Sequence, residues 1–367
     1  MAIPASPTPD GRPDGAVPSG GSLAFEARWL RGAVPPAGGE ATLLVRAVPP
    51  PAAATDGGDA PGRSAPVDVA FVVDRSGSMD GDKLPLALEA VSVAVGLLGD
   101  DDRAALVAYD HAVEIVHPLA PATGRAKAAL RLALRGIDPR GSTDLGGGWL
   151  AGCAELAGGD GVGDGAAPGG AAPGGAGVRG QGAAATGDGP TDPATGDVAR
   201  PVRARRAVLL TDGLANVGIT EPAALTEHAH QLRRRGIATT ALGVGADYDG
   251  ELLAALAEAG GGNYHHIRHA AELPALFARE LRELLSLAAI GLTLTLRLPR
   301  GARATLVSPY PTERARGRLT AHAGDVPAGV PLGLVFSVTV PPAAVGGSHR
   351  LTVEAAWADP AADARGA

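Results

Sequence analysis

Residues 67–79 read VDVAFVVDRSGSM. The apolar run 67–73, broken only by Asp68, suits a strand covered on both faces, as in a parallel sheet with helices on either side. Directly after it the chain turns polar, and Asp74, Ser76 and Ser78 fall at alternate positions on a tight loop. A carboxylate and two hydroxyls so placed offer hard oxygen donors, the type that Mg²⁺ and Mn²⁺ prefer. In open α/β sheets, ligands bind beyond the carboxyl ends of the strands at the point where strand order reverses, which is the position this loop takes.

Outward from this loop, strands and helices alternate as far as residue 288. Leu84, Leu88, Val91, Val95 and Leu98 make one helical stripe. RAALVAY (103–109) and AVEIVHPL (112–119) read as a strand pair, 124–135 and 145–157 as helices, and ARRAVLLT (204–211) as another buried strand. Thr220, Glu221 and Pro222 open a helix that runs to Arg235, since proline is tolerated in the first turn. A strand at 237–244, a helix at 249–259 and a short strand, NYHHI (263–267), follow. Leu273, Leu276, Phe277, Leu281, Leu284 and Leu285 then form the stripe of a final helix over 271–288. Repeated βα units predict an α/β fold with a doubly wound, mainly parallel, Rossmann-like sheet. Two more loops of this block carry oxygen donors: Gly141-Ser142-Thr143-Asp144 before the helix at 145, and Asp212 directly after the strand 204–211.

The flanks differ. Residues 1–20 read as a disordered lead. Residues 21–66 hold two strands, LAFEARWL (23–30) and ATLLVRAV (41–48), and a Pro/Ala/Gly/Asp linker from 49 to 66. Residues 289–367 return to alternation in LTLTLRL (292–298), LGLVFSVTV (332–340) and HRLTVEAAW (349–357), a β-rich unit expected to share a sandwich-like platform with 23–48. Inside the α/β block, 158–203 has no Leu, Ile or aromatic residue, and a segment with so little apolar surface cannot offset its ordering entropy. It reads as a disordered insertion.

Composition closes off several classes. The chain has 367 residues with 54 Gly, 31 Pro and only 3% aromatics, so its cores must be built from Ala, Val and Leu. A net charge of −7 gives no footprint for nucleic acid or an anionic membrane. No apolar stretch approaches the ~20 residues of a membrane span, and residues 1–20 do not form a signal peptide, so the expected location is cytoplasmic. One cysteine, Cys153, excludes an intrachain disulfide and reads as a buried small residue.

The three loops together resemble the metal-ion-dependent adhesion site (MIDAS) of the von Willebrand factor type A family, which combines a D-x-S-x-S loop, a Thr and an Asp. Asp74, Ser76, Ser78, Thr143 and Asp212 match it. Gly81, Lys83, Asp102-Arg103 and the segment 243–267 agree, and the resemblance covers 67–288, closest to the bacterial and inter-α-trypsin-inhibitor-like branches. It implies that Ser76, Ser78 and Thr143 ligate Mg²⁺ (or Mn²⁺), that Asp74 and Asp212 act through water, and that the open position takes a Glu or Asp of a partner protein. It also implies a non-enzymatic binding module on a β-sandwich, with an axial shift of the last helix coupling site to platform. Asp80, Asp82 and Asp144 on the same loops would concentrate cations.

Other readings stand beside this one. The plain alternative is an ordinary turn with the Thr and Asp as helix caps. The chain has no phosphate-binding G-x-x-x-x-G-K-[ST] loop, so in an ATP-driven assembly it would be the non-ATPase accessory subunit of an AAA+ ATPase or chelatase-like complex. A metal-dependent hydrolase would need a general base, and no His or Glu lies on the three loops. His265, His266 and His269 read as a surface strand end rather than a zinc site, and His228 and His230 as solvated. Asp100-Asp101-Asp102 reads as a solvated turn at the opposite end of the sheet, and Arg203, Arg205 and Arg206 as solubilising groups.

Overall fold

A computed structural model describes residues 2–4 (backbone only), 23–30, 34–50, 66–159, 202–342 and 348–360. Most of the expected lead, linker and insertion thus lies outside the described residues. Ala2–Pro4 is the exception, because these three residues form a strand, β1, rather than part of an unstructured lead. In chain order there follow β2 (Ala24–Trp29), β3 (Gly39–Val48), β4 (Val67–Asp74), α1 (Lys83–Leu97), β5 (Arg103–Tyr109), β6 (Val113–Pro121), α2 (Gly124–Leu134), α3 (Leu145–Gly158) and β7 (Ala204–Thr211). Then come α4 (Pro222–Arg234), β8 (Ile237–Val244), α5 (Gly250–Gly260), β9 (Gly261–Ile267) and α6 (Leu273–Leu285). The last strands are β10 (Leu287–Arg297), β11 (Arg303–Leu306), β12 (Thr312–Ala315), β13 (Arg318–Pro327), β14 (Leu332–Val340) and β15 (Thr352–Ala358).

The α/β unit is a six-stranded sheet in the order β6-β5-β4-β7-β8-β9, parallel except for β6. The chain builds outward from β4 to β5 and β6, then returns to lay β7 on the other side of β4. Strand order therefore reverses between β4 and β7, and the carboxyl ends of these two strands frame a crevice. Every residue of β4 is buried, as the apolar run required. Its alternation sends Val69, Phe71 and Val73 to one face, against α1, α2 and α6, and Ala70 and Val72 to the other, against α3, α4 and α5. Phe71 stacks on Phe277 of α6 with ring centroids 6.2 Å apart.

Alanine and glycine set the spacing of these layers. The buried stripe of α1 is Leu84, Ala87, Ala90, Val91, Ala94 and Val95, rotated toward its alanines, with Leu88 only partly buried. In α3, a Cβ at Gly148 would overlap the Tyr109 ring and one at Gly152 would overlap Val72, so the helix lies flush on the sheet only because both are glycine.

The amino-terminal end of the sheet corrects two expectations about charge. Asp102 is buried rather than solvated, and its carboxylate accepts from Val67 N at 3.0 Å and Gly99 N at 2.7 Å. Arg203 binds the fully buried Asp68 at 2.6 Å, Arg205 donates to Arg235 O at 2.6 Å, and Arg206 is buried. These arginines fasten structure instead of only facing water. His230 is half-buried rather than solvated, with a covered Nδ1 that has no partner among the described residues.

The flanking strands form a second body of two antiparallel sheets, β1-β15-β10-β13-β12 and β11-β14-β3-β2. As expected, the strand at 41–48 joins the carboxyl-terminal unit: β3 pairs with β14 from Gly39↔Val340 to Ala47↔Leu332. Between the sheets lie Phe25, Leu43, Val45, Leu292, Leu294, Leu296, Phe336, Val338 and Val353. The last helix is shorter than 271–288. It ends at Leu285, and after Ser286 the chain enters β10, where pairing of Leu287 with Pro327 of β13 takes over from the helix. Because α3 tolerates no side chain at its sheet contact, Gly148→Val should lower unfolding free energy by about 1–3 kcal/mol by overpacking, read as a lower urea midpoint.

Candidate metal centre

The crevice between β4 and β7 receives all three loops. Asp74, the last residue of β4, has no exposed surface; its Oδ1 accepts from Ser76 N at 2.7 Å and its Oδ2 from Thr211 Oγ1 at 2.6 Å. Burial pushes its carboxyl up to about 6, against the hydrogen bonds from Thr211 and Ser76, and the neighbouring Asp212 charge adds to the rise. The chain then makes a 3-10 turn, Gly77–Met79, pinned by the fully buried Met79 side chain. This turn brings Ser76 Oγ and Ser78 Oγ to 3.1 Å, and Ser78 Oγ donates to Asp212 Oδ1 at 2.6 Å. Asp212 is also fully buried and is ion-paired with Lys83 from the start of α1.

Backbone bonds zip the loops together. Gly77 N donates to Gly141 O at 3.1 Å and Arg140 N to Arg75 O at 2.7 Å. Gly141 sits at φ +73°, a left-handed conformation that glycine takes without strain. Thr143, almost fully buried, receives Asn216 Oδ1 on its N–H at 2.9 Å, and its carbonyl accepts from Asn216 N and Val217 N, both at 3.2 Å. Asp144 caps α3 by accepting from Gly147 N at 2.9 Å. Asp80 and Asp82 are exposed at the rim.

The donors converge on one place. A Cβ added to Gly213 would lie 3.3 Å from Thr143 Oγ1, 3.4 Å from Ser78 Oγ and 4.0 Å from Ser76 Oγ. Three hydroxyls from two loops thus surround a space that glycine leaves free, with Asp74 and Asp212 behind them. Neutral oxygens in front and carboxylates behind suit a hard divalent cation and leave it under-neutralised. The structure brings together all five residues singled out from the sequence.

Sequence reasoning missed the braces. Asn216 holds Thr143, and its signal was rarity, since the chain has only two asparagines. Beside the first loop, Arg75 is buried and binds Asp110 at 2.9 Å and Glu114 at 2.8 Å, while Arg140 binds Asp110 at 2.8 Å. Burial would raise the Asp110 carboxyl, but Arg140, the Ala112 N–H and Arg75 outweigh it and hold it below the usual range. The histidines on β9 have separate partners. His265 Nε2 meets Glu280 at 2.6 Å, and His266 bonds Tyr248.

Two family models, both describing the von Willebrand factor type A domain, match residues 69–157 and 187–266. The chain contains a von Willebrand factor type A (vWA) domain. It is similar to the uncharacterized protein YfbK of Escherichia coli (strain K12), 27% identical over 220 residues, which cover 59% of this chain and 31% of that protein. It is also similar to the uncharacterized protein sll0103 of Synechocystis, 33% identical over 95 residues, 26% of this chain and 22% of that one. The chain therefore spans less than a third of the length of these curated relatives. Among solved structures, a von Willebrand factor type A protein from Catenulispora acidiphila matches 92% of this chain and 70% of its own, with a TM-score of 0.65 and 22% identity. The ArnB paralog VWA2 from Sulfolobus acidocaldarius matches 92% and 76%, with a TM-score of 0.52 and 14% identity. This likeness concerns the fold, and at 92% coverage it takes in the sandwich as well as the vWA domain.

Two outcomes follow from these surroundings. Asn216→Ala strips the Thr143 N–H of its acceptor and should cost about 1 kcal/mol, measured by urea unfolding, while Asn216→Asp keeps the acceptor and most of the stability. Cys153 is buried on α3, and burial pushes its thiol up to about 12. Iodoacetamide at pH 8 should leave Cys153 unlabelled in the folded protein and label it in urea, as mass spectrometry can read.

Proposed function

We propose that the vWA domain is a divalent-cation-dependent protein-binding module and not an enzyme. The observation that carries this reading is the convergence of Ser76, Ser78 and Thr143 hydroxyls around the space at Gly213, backed by two buried carboxylates. Those hydroxyls would hold Mg²⁺ or Mn²⁺, with Asp74 and Asp212 orienting the surrounding water. When bound, the cation supplies an open coordination position with residual positive charge, which a Glu or Asp of a partner protein can fill. The chain's own part is to keep the donors fixed: Thr211 and the Ser76 N–H hold Asp74, Asn216 holds Thr143, and Ser78 donates to Asp212.

A binding role agrees with how the ionisable groups near the loops are engaged. Asp110 is neutralised by two arginines, Asp144 caps a helix, and Asp212 is ion-paired. None of these is a carboxylate free to take a proton from a nucleophile. Among the described residues, no helix is long and apolar enough to cross a membrane. The sandwich would then serve as the platform for the vWA domain, joined to it through α6 and the single residue Ser286.

Divalent cation binding to the native state alone should stabilise the protein, by about 2.7 kcal/mol when the ion is at one hundred times its Kd. Thermal melts of the full chain in Mg²⁺ or Mn²⁺ against EDTA should show a higher Tm with the ion, and Asp74→Ala or Ser78→Ala should remove the difference. A lysate pull-down should retain a partner in Mg²⁺ and release it in EDTA. A partner kept equally by wild type and Asp74→Ala, with and without EDTA, would sink the metal-bridge mechanism.

A further inference from the structure

We propose that Lys83 is a tethered cation built into the metal centre, one that a divalent ion must displace in order to bind. This rests on the reading of the centre as a divalent-cation site. Lys83 opens α1, and its ammonium reaches back to donate to Ser78 O at 3.2 Å and to pair with Asp212 Oδ2. The other oxygen of that carboxylate accepts from Ser78 Oγ at 2.6 Å. A single buried carboxylate thus binds both the ammonium and one of the three hydroxyls that surround Gly213. Lys83 itself is 29% exposed, so its flexible four-carbon stem can carry the charge out into water when something replaces it.

The choice of side chain supports this role. The 32 basic residues include only two lysines, Lys83 and Lys127. Lys127 donates to Leu98 O at 2.6 Å, away from the centre, so the only lysine near the site is the one on Asp212. An ammonium is a compact, strongly hydrated point charge that exchanges readily with another cation, whereas a guanidinium forks across a carboxylate and holds it. A dication entering beside Asp212 meets a like charge and a carboxylate oxygen already taken. Its affinity is lowered by both.

Calorimetric titration of the full chain with Mn²⁺ tests this with four variants, each checked by circular dichroism melting. Lys83→Met and Lys83→Gln should bind Mn²⁺ about tenfold or more tightly than wild type, which corresponds to about 1.4 kcal/mol. Lys83→Arg, which keeps the charge, should not tighten binding, and Asp74→Ala should bind far more weakly. A second readout needs no substitution: Mn²⁺ should raise acetylation of Lys83 by an acylating reagent while Lys127 stays constant, as peptide mass spectrometry can separate. Equal or weaker binding by the folded Lys83 variants, or unchanged labelling while Mn²⁺ binds, overturns the proposal and leaves Lys83 a strut for Asp212 with the metal reading intact. No Mn²⁺ uptake by wild type or by either neutral variant overturns the metal reading itself, and this proposal with it.

Discussion

Asp74 is the constraint around which the vWA domain is arranged. A carboxylate without exposed surface at the end of a fully buried strand is costly unless donors surround it. Its donors come from two places, the Ser76 N–H on its own loop and the Thr211 hydroxyl at the end of β7, so the return of the chain to the far side of β4 is what completes its shell. The compensation is partial. The carboxyl stays at about 6 against an ordinary 3.8, so its ionised form is disfavoured in the fold. The associated stability is full below 3.8 and is lost as pH rises through about 6, and at neutral pH the crevice holds an unmet demand for positive charge. Asp212, equally buried, meets the same demand with an ammonium.

Much of this was legible in the residues because burial on two faces leaves a mark in the chain. The runs at 67–74, 204–211 and 237–244 are apolar enough to be strands wherever they sit, and all three are almost entirely buried. Oxygen donors directly after strands, or before a helix, then located the crevice without any coordinates. What escaped was contact between distant parts. Asp102 looked like one of three exposed acids, yet its partners are the backbone of Val67 and Gly99, which no periodicity encodes. Strand β13 contributes Leu319, Ala321 and Ala323 to the sandwich core, and its two alanines alternate too faintly with their neighbours to announce a strand. The limit of α6 escaped for a related reason, since 284–290 is apolar apart from Ser286 and only the ladder to β13 decides where helix becomes strand.

The two bodies also meet through polar contacts that composition hid. Arg233 of α4 donates to Ala323 O at 2.9 Å and lies over the Tyr310 ring at 5.4 Å, and Arg206 of β7 approaches Asp325 at 3.9 Å. Burial raises the Asp325 carboxyl, although the Arg206 charge draws it back. Guanidinium groups suit such a seam because they bind carbonyls and aromatic faces together. Arg233 and Arg206 are thus part of the fastening between vWA domain and platform.

The pairing of β3 with β14 bears on how the chain folds. Glu40 accepts from the Ser337 hydroxyl across 297 residues of sequence, and the whole vWA domain lies in that interval. Closing so long a loop from an open chain is entropically unfavourable and slow. A folded vWA domain removes most of that expense by fixing its own ends, Val67 and Leu285, within one compact body. Formation of the vWA domain thus lowers the closure cost of pairing β3 with β14. A lesion in the vWA core would then leave the β2–β3 pair without β14 during folding, exposing the other edge of β3 as an unpaired strand edge of the kind that chaperones meet.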